Sequence, residues 1–174
     1  MKKQILMTVI LLLIAPFSTF AISLKDIQDN PNKYIGLGEN TVGAIYIDID
    51  SIRSIRYSPP YYSIQSIEYF VDYKANIILQ SRKVFNYNRS IKSLIEEQQR
   101  IHPSISKDAV VNVVLKEIKK DSGIISSIFD RKVYSFNGTY LGEVNNVLGE
   151  NVITFSNGFR EADYIFYKYY NIHF

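Results

Sequence analysis

Two β-rich runs joined by a short polar break most narrow what this chain can fold into. Tyr61 to Tyr73 places Ile67, Tyr69, Val71 and Tyr73 on one side, with Ser66, Glu68 and Asp72 among the opposite set, the period of two that belongs to a strand. Lys74-Ala75-Asn76 then separates this run from Ile77 to Tyr87, and two β-rich runs joined by so short a polar break predict a long antiparallel hairpin.

The flanking segments extend this pattern. Ala44 to Asp50 alternates, with Ile45, Ile47 and Ile49 on one face and Tyr46, Asp48 and Asp50 on the other, as in a half-buried strand. Ahead of it, Asp29-Asn30-Pro31-Asn32 and the nearby Gly36, Gly38 and Gly43 read as a loop-rich lead-in, mobile over 22–32, with a short strand around Lys33 to Leu37. After the hairpin the period changes. Ile91, Leu94, Ile95 and Ile101 fall near helical spacing until His102-Pro103, and Ser104 or Ser106 can cap a second helix through Lys120, with Asp108 at its start and Gly123 as terminator. The four valines of that second segment also fit a strand. Val133 to Phe136, Asn137-Gly138 and Thr139 to Leu141 form a second hairpin signal, because Asn-Gly accepts the positive φ angles of a type I′ turn. From about Phe159, Ala162, Ile165, Phe166, Tyr169 and Ile172 make a helical apolar stripe. Strands followed by packed helices predict an α+β domain: an antiparallel sheet with hairpins, covered by a C-terminal helix and one or two further helices.

The N-terminus predicts export. Lys2 and Lys3 precede an uncharged apolar run from Ile5 to Ala15, and Pro16 and Phe17-Ser18-Thr19-Phe20-Ala21 follow, which is the order of a signal peptide over residues 1–21 with cleavage before Ile22. The apolar core is short of the roughly 20 residues a membrane span requires, and no later segment approaches that length without charges. A lipid anchor after the leader would require a cysteine, and the chain has Cys 0. With no internal repeat, low-complexity tract or charge block, residues 22–174 read as one domain. Two of the 20 Lys+Arg leave with the leader, so the mature net charge is +1, which gives no electrostatic case for nucleic acid.

The two histidines, His102 and His173, have no Cys, His or acid partner at ligand spacing. Asp48 and Asp50 share a strand face, but the glycine and closing glutamate of a calcium loop do not follow, so the pair reads as a solvated face with Asp50 capping a turn that begins at Ser51. Gly36-Leu37-Gly38 lacks the third glycine of a phosphate loop, and there is no GxSxG motif. Asn88-Arg89-Ser90 and Asn137-Gly138-Thr139 match the glycosylation sequon, the second being explained by its turn. The expectation is therefore no catalytic residue, no metal and no cofactor.

The aromatic content, 14 Tyr and 10 Phe with no Trp, is the outlier. Tyrosine joins apolar area to a polar tip, which suits sheet faces and contact surfaces alike. Two groups stand out: Tyr57-Ser58-Pro59-Pro60-Tyr61-Tyr62, and the run from Tyr164 to Tyr170. In the second, the core stripe leaves Tyr164, Tyr167 and Lys168 on the flank, the leading candidates for a partner surface, with Tyr61 and Tyr62 as the second.

The leader, Tyr46-Ile47-Asp48 with Asp50-Ser51-Ile52, the long hairpin, and Asn137-Gly138-Thr139-Tyr140-Leu141-Gly142 before a C-terminal helix together resemble the surface-adhesin protein E-like domains of Gram-negative bacteria, over roughly residues 33 to 172. The resemblance implies a small exported α+β domain with a binding role, some such domains contacting host matrix proteins or self-associating. The expected partner is thus a protein, of the host or the envelope, or a second copy in a homodimer. Two other classes compete: an envelope protein that inhibits or assists another enzyme, and a small hydrolase with a dispersed site.

Overall fold

The computed structural model describes residues 22–89, 91–118, 122–144, 148–154 and 156–174; the expected leader over 1–21 lies outside them. Chain order is α1 (Leu24–Asp29), β1 (Tyr34–Glu39), β2 (Gly43–Ser58), β3 (Tyr61–Asp72), β4 (Ile77–Tyr87), α2 (Ile91–Ile101), α3 (Lys107–Ile118), β5 (Ile124–Ser135), β6 (Tyr140–Val144), β7 (Leu148–Asn151) and α4 (Asn157–Tyr170). The strands form one antiparallel sheet in the order β1-β2-β3-β4-β5-β6, with β7 pairing the first half of β5. The fold is α+β.

The long hairpin forms as its alternation requires, β3 and β4 pairing without a break from Tyr62↔Tyr87 to Asp72↔Ile77. Ile67, Tyr69 and Val71 share one face, where Tyr69 and Val71 pack with Tyr34, Ala44, Ile78, Tyr134 and Ile27 of α1. The opposite face carries Ile64, Phe85, Tyr87, Ile47 and Ile124 against Ala162, Ile165 and Phe166 of α4. Both faces are covered over much of the sheet, so Ser66 and Glu68, the polar side of the alternation, are buried under α4. The helices α2 and α3 form a hairpin with its own small core of Leu94, Val110 and Val114.

Three expectations about loops and turns are corrected. The loop-rich lead-in is a helix. Ser23 Oγ accepts the Asp26 N–H at 3.1 Å and Asp26 Oδ2 accepts the Ser23 N–H at 2.9 Å, a reciprocal cap. Ile27 is 1% exposed and Leu24 N–H donates to the Phe136 carbonyl, which fixes the segment to the β5–β6 turn. Second, no turn begins at Ser51. The chain bulges between Asp48↔Ile67 and Arg53↔Gln65 and β2 continues to Ser58. Ser51 Oγ donates to the Asp48 carbonyl at 2.5 Å and accepts the Ile67 N–H at 2.7 Å, while Asp48, rather than Asp50, accepts a backbone N–H, that of Asp50. Third, the Asn-Gly hairpin forms with a different turn. Gly138 has φ +88 but Asn137 is not among the positive-φ residues, so the loop is Phe136-Asn137-Gly138, closed by Gly138 N–H to the Ser135 carbonyl and Ser135 N–H to the Thr139 carbonyl. That is a three-residue loop with glycine at its left-handed position, and the Asn137 side chain accepts from Thr139 N–H and Oγ1 instead of adopting αL itself.

The C-terminal helix starts at the Ser156 cap, whose hydroxyl accepts the Phe159 N–H, and ends at Asn171 in αL. Its stripe is core through Ala162, Ile165 and Phe166, but Tyr169 and Ile172, expected to continue it, are exposed. At this end of the helix Tyr170 and Phe174 are the residues that pack inward.

Candidate functional site

The two aromatic groups of the sequence meet in space. Tyr57 and Tyr62 are cross-strand partners at the end of the β2–β3 ribbon, with ring centroids 5.4 Å apart. α4 lies across them: Tyr62 is edge-on to Phe166 at 5.0 Å and 5.4 Å from Tyr170, Tyr57 is 5.3 Å from Tyr170, and Ser54 Oγ and the Tyr170 hydroxyl are hydrogen-bonded at 2.8 Å. Phe174 continues the cluster against Phe166 and Tyr87. Aromatic pairs at such spacings add to the area they bury. Burial, with Tyr57 and Tyr170 alongside, raises the Tyr62 phenol above its ordinary range.

Beside this cluster is an open cleft of about 660 Å³. The Pro59-Pro60 turn and Tyr62 form one wall, Phe166 and the tail from Ile172 to Phe174 another, and α2, with Lys92, Ser93 and Glu96, the third. The floor is apolar and the rim charged, the composition of a site for an apolar group carried on a polar chain.

Of the five residues singled out by sequence, Tyr62 lines the cleft, and Tyr61 stands outside it, 50% exposed with the Arg56 guanidinium 6.0 Å from its ring. Tyr167 is exposed on the flank of α4 and stacks on His173 at 4.7 Å, which places it next to a cleft wall. Lys168 is exposed in the last turn. Tyr164 is half-buried against the α4-side core, and burial raises its phenol, so it serves packing more than contact. Sequence reasoning missed Tyr170, Phe174 and the α2 wall, because only the tertiary fold brings them to Tyr57 and Tyr62.

His173 does have an acid partner: Nδ1 lies 2.7 Å from Asp163 Oδ2, and Asp163 Oδ1 accepts the Phe174 N–H at 3.2 Å. An imidazole oriented by a carboxylate is half of a general-base arrangement. Among the described residues its contacts are Asp163 and the Tyr167 ring, and no hydroxyl is hydrogen-bonded to it, so the pair pins the tail that forms the cleft wall. His102 is exposed after α2. Asp48 lies 3.8 Å from Lys33, and among the described residues no three His, Asp or Glu side chains are grouped to hold a metal ion.

A second polar constellation lies under α4. Lys83 Nζ donates to Glu68 Oε2 at 3.0 Å and to Glu161 Oε2 at 2.6 Å, all three being buried. Burial and the Glu68 charge push the Glu161 carboxyl well above its usual range, while both carboxylates outweigh the effect of burial on Lys83 and hold its ammonium up. Two acids around one ammonium form a buried clamp between β3, β4 and α4.

No family model matches the sequence, no curated protein is similar to it, and no solved structure matches its fold. The resemblance to the adhesin-like domains rests on the quoted motifs alone.

Proposed function

We propose that the protein is an exported, non-catalytic binding module of adhesin-like type, acting by protein–protein contact in the periplasm, at the cell surface or outside the cell, with the aromatic cleft as its contact site. The observation that carries this reading is the convergence of Tyr57, Tyr62, Phe166, Tyr170 and Phe174 around an open apolar cleft, flanked by the exposed rings of Tyr61 and Tyr167. Tyrosine is over-represented among the residues that dominate contact energies, and rings held by other rings lose little side-chain freedom on binding. Tyr61 and Tyr167 are the anchors that can be changed without opening the core.

The test is the double variant Tyr61→Ser/Tyr167→Ser, measured by sedimentation velocity for self-association and by surface plasmon resonance against fractionated envelope proteins. Each true anchor should contribute about 1–2 kcal/mol, with the unfolding midpoint unchanged. Equal association of variant and parent in both assays would remove the cleft surroundings as the contact surface.

A further inference from the structure

The β2 strand outruns its neighbour. β1 pairs with it only between Glu39↔Ala44 and Tyr34↔Asp48, with one further bond from Ile49 N–H to the Lys33 carbonyl. From Arg53 to Ser58, β2 is paired on its inner side with β3 and, among the described residues, with no strand on its outer side. Such an edge presents backbone donors and acceptors ready to pair with another chain.

The side chains along this edge divide by face. Arg53 pairs with Gln65 and Arg56 with Ser63, so the one-residue shift between Ser54 and Arg56 brings both arginines to the same side of the sheet. Ser54 and Tyr57, paired with Ile64 and Tyr62, point to the other side, where Tyr170 receives them. Tyr57 is 65% exposed. No Asp or Glu occurs from Ser51 to Gln65. The contacts of the two guanidinium groups are backbone carbonyls, those of Ile52 and Tyr62, and the Tyr61 ring. Among the described residues no acid pairs with either guanidinium, so one side of the edge is cationic and the other is aromatic.

We propose that the outer edge of β2, from Arg53 to Ser58, accepts an added strand from a partner protein whose residues alternate acidic and apolar. Main-chain pairing supplies the register, and alternate side chains meet the two faces: carboxylates reach Arg53 and Arg56, and apolar groups lie on Tyr57 and Tyr170. A second copy of this chain does not fit, because self-pairing of the segment crowds four guanidinium groups along one short ladder, where like charges are unfavourable. This deepens the reading of the protein as a binding module and rests on it, since it names the chemistry of the partner segment beside the cleft.

The test uses the purified protein and a fluorescein-labelled octapeptide of alternating Glu and Val, followed by fluorescence anisotropy. The proposal expects saturable binding, at least tenfold weaker for the Lys–Val counterpart, and abolished in one of the two forms N-methylated at alternate amides, because an added strand pairs along one edge only. Arg53→Glu/Arg56→Glu should lose tenfold or more for the Glu–Val peptide and gain binding of the Lys–Val peptide, a reversal that loss of fold does not produce. Absence of Glu–Val binding overturns the proposal. So does equal binding of both N-methylated forms, or of an oligothymidylate octamer, which would mean attraction to any polyanion. Cross-linking from Tyr61 to a native partner would survive such a failure if the cleft alone makes the contact, and would be lost with it if the binding-module reading itself is wrong.

Discussion

Replacing Lys83 by methionine tests the buried clamp that docks α4. Lys83 is 7% exposed and Glu161 1%, and Lys83→Met leaves two carboxyls facing each other in the core with their shared cation gone. Removing one partner of a buried ion pair costs about 3–5 kcal/mol, because a charge is left uncompensated. For a domain of roughly 150 residues this lowers Tm by about 6–20 °C. The sign of the pH effect follows from Glu161. Its folded-state carboxyl titrates above its unfolded range, so its contribution is whole below the ordinary value of 4.5 and is lost as pH rises through the folded value. Without the Lys83 charge, which favours its ionised form, the Glu161 carboxyl is harder still to ionise in the fold, so the penalty of Lys83→Met should be smaller at pH 4 than at pH 8. Replacing all three residues by Leu, Met and Leu should return stability to within a few kcal/mol of the parent. Urea unfolding followed by circular dichroism at the two pH values measures this. A loss below about 1 kcal/mol, or one independent of pH, would refute the argument that the clamp is buried and charge-coupled.

Ile27→Ala should destabilise the domain by about 2–5 kcal/mol, as for other buried large-to-small changes, whereas a lead-in that is not docked would tolerate it in a thermal melt. Gly138→Val should lose about 1–2 kcal/mol through backbone strain at φ +88, read from the urea midpoint. Mass spectrometry of the protein recovered from its native cell should give a chain starting at Ile22, and an intact N-terminus in the membrane fraction would favour an uncleaved anchor.

Wherever the physics is local, the sequence was legible. Alternation in 61–73 and the β-rich run 77–87 after a short polar break located the central hairpin, and helical spacing located 91–101 and the core half of α4. The Asn137-Gly138 signal found the hairpin but not its turn, because the Asn137 side chain could serve the loop as an acceptor without leaving the right-handed region. The α1 helix left a signal too: Ser23 and Asp26 stand at capping-box spacing, outweighed by the Asp-Asn-Pro-Asn punctuation just after it. Long-range facts had no local trace. Glu68, Lys83 and Glu161 are separated by 15 and 78 residues, and no local pattern links them: only the fold, with α4 over the polar side of β3, makes them one cluster. The stripe of α4 misassigned Tyr169 and Ile172, the latter because the helix ends at Asn171 in the left-handed region and periodicity carries no such stop. The two aromatic groups read as alternatives, although Tyr62 and Tyr170 belong to one cluster.

The central claim, that the protein binds another protein at the aromatic cleft, is tested most directly by site-specific photo-cross-linking in the living cell. p-Benzoylphenylalanine is placed at Tyr61, 50% exposed and next in the chain to the cleft residues Pro60 and Tyr62, and for comparison at Tyr140, 52% exposed at the opposite sheet edge. A discrete adduct from position 61, absent from position 140 and lost when Tyr167 is changed to Ser, is the predicted result; no adduct at position 61, or the same adducts from both positions, would contradict it.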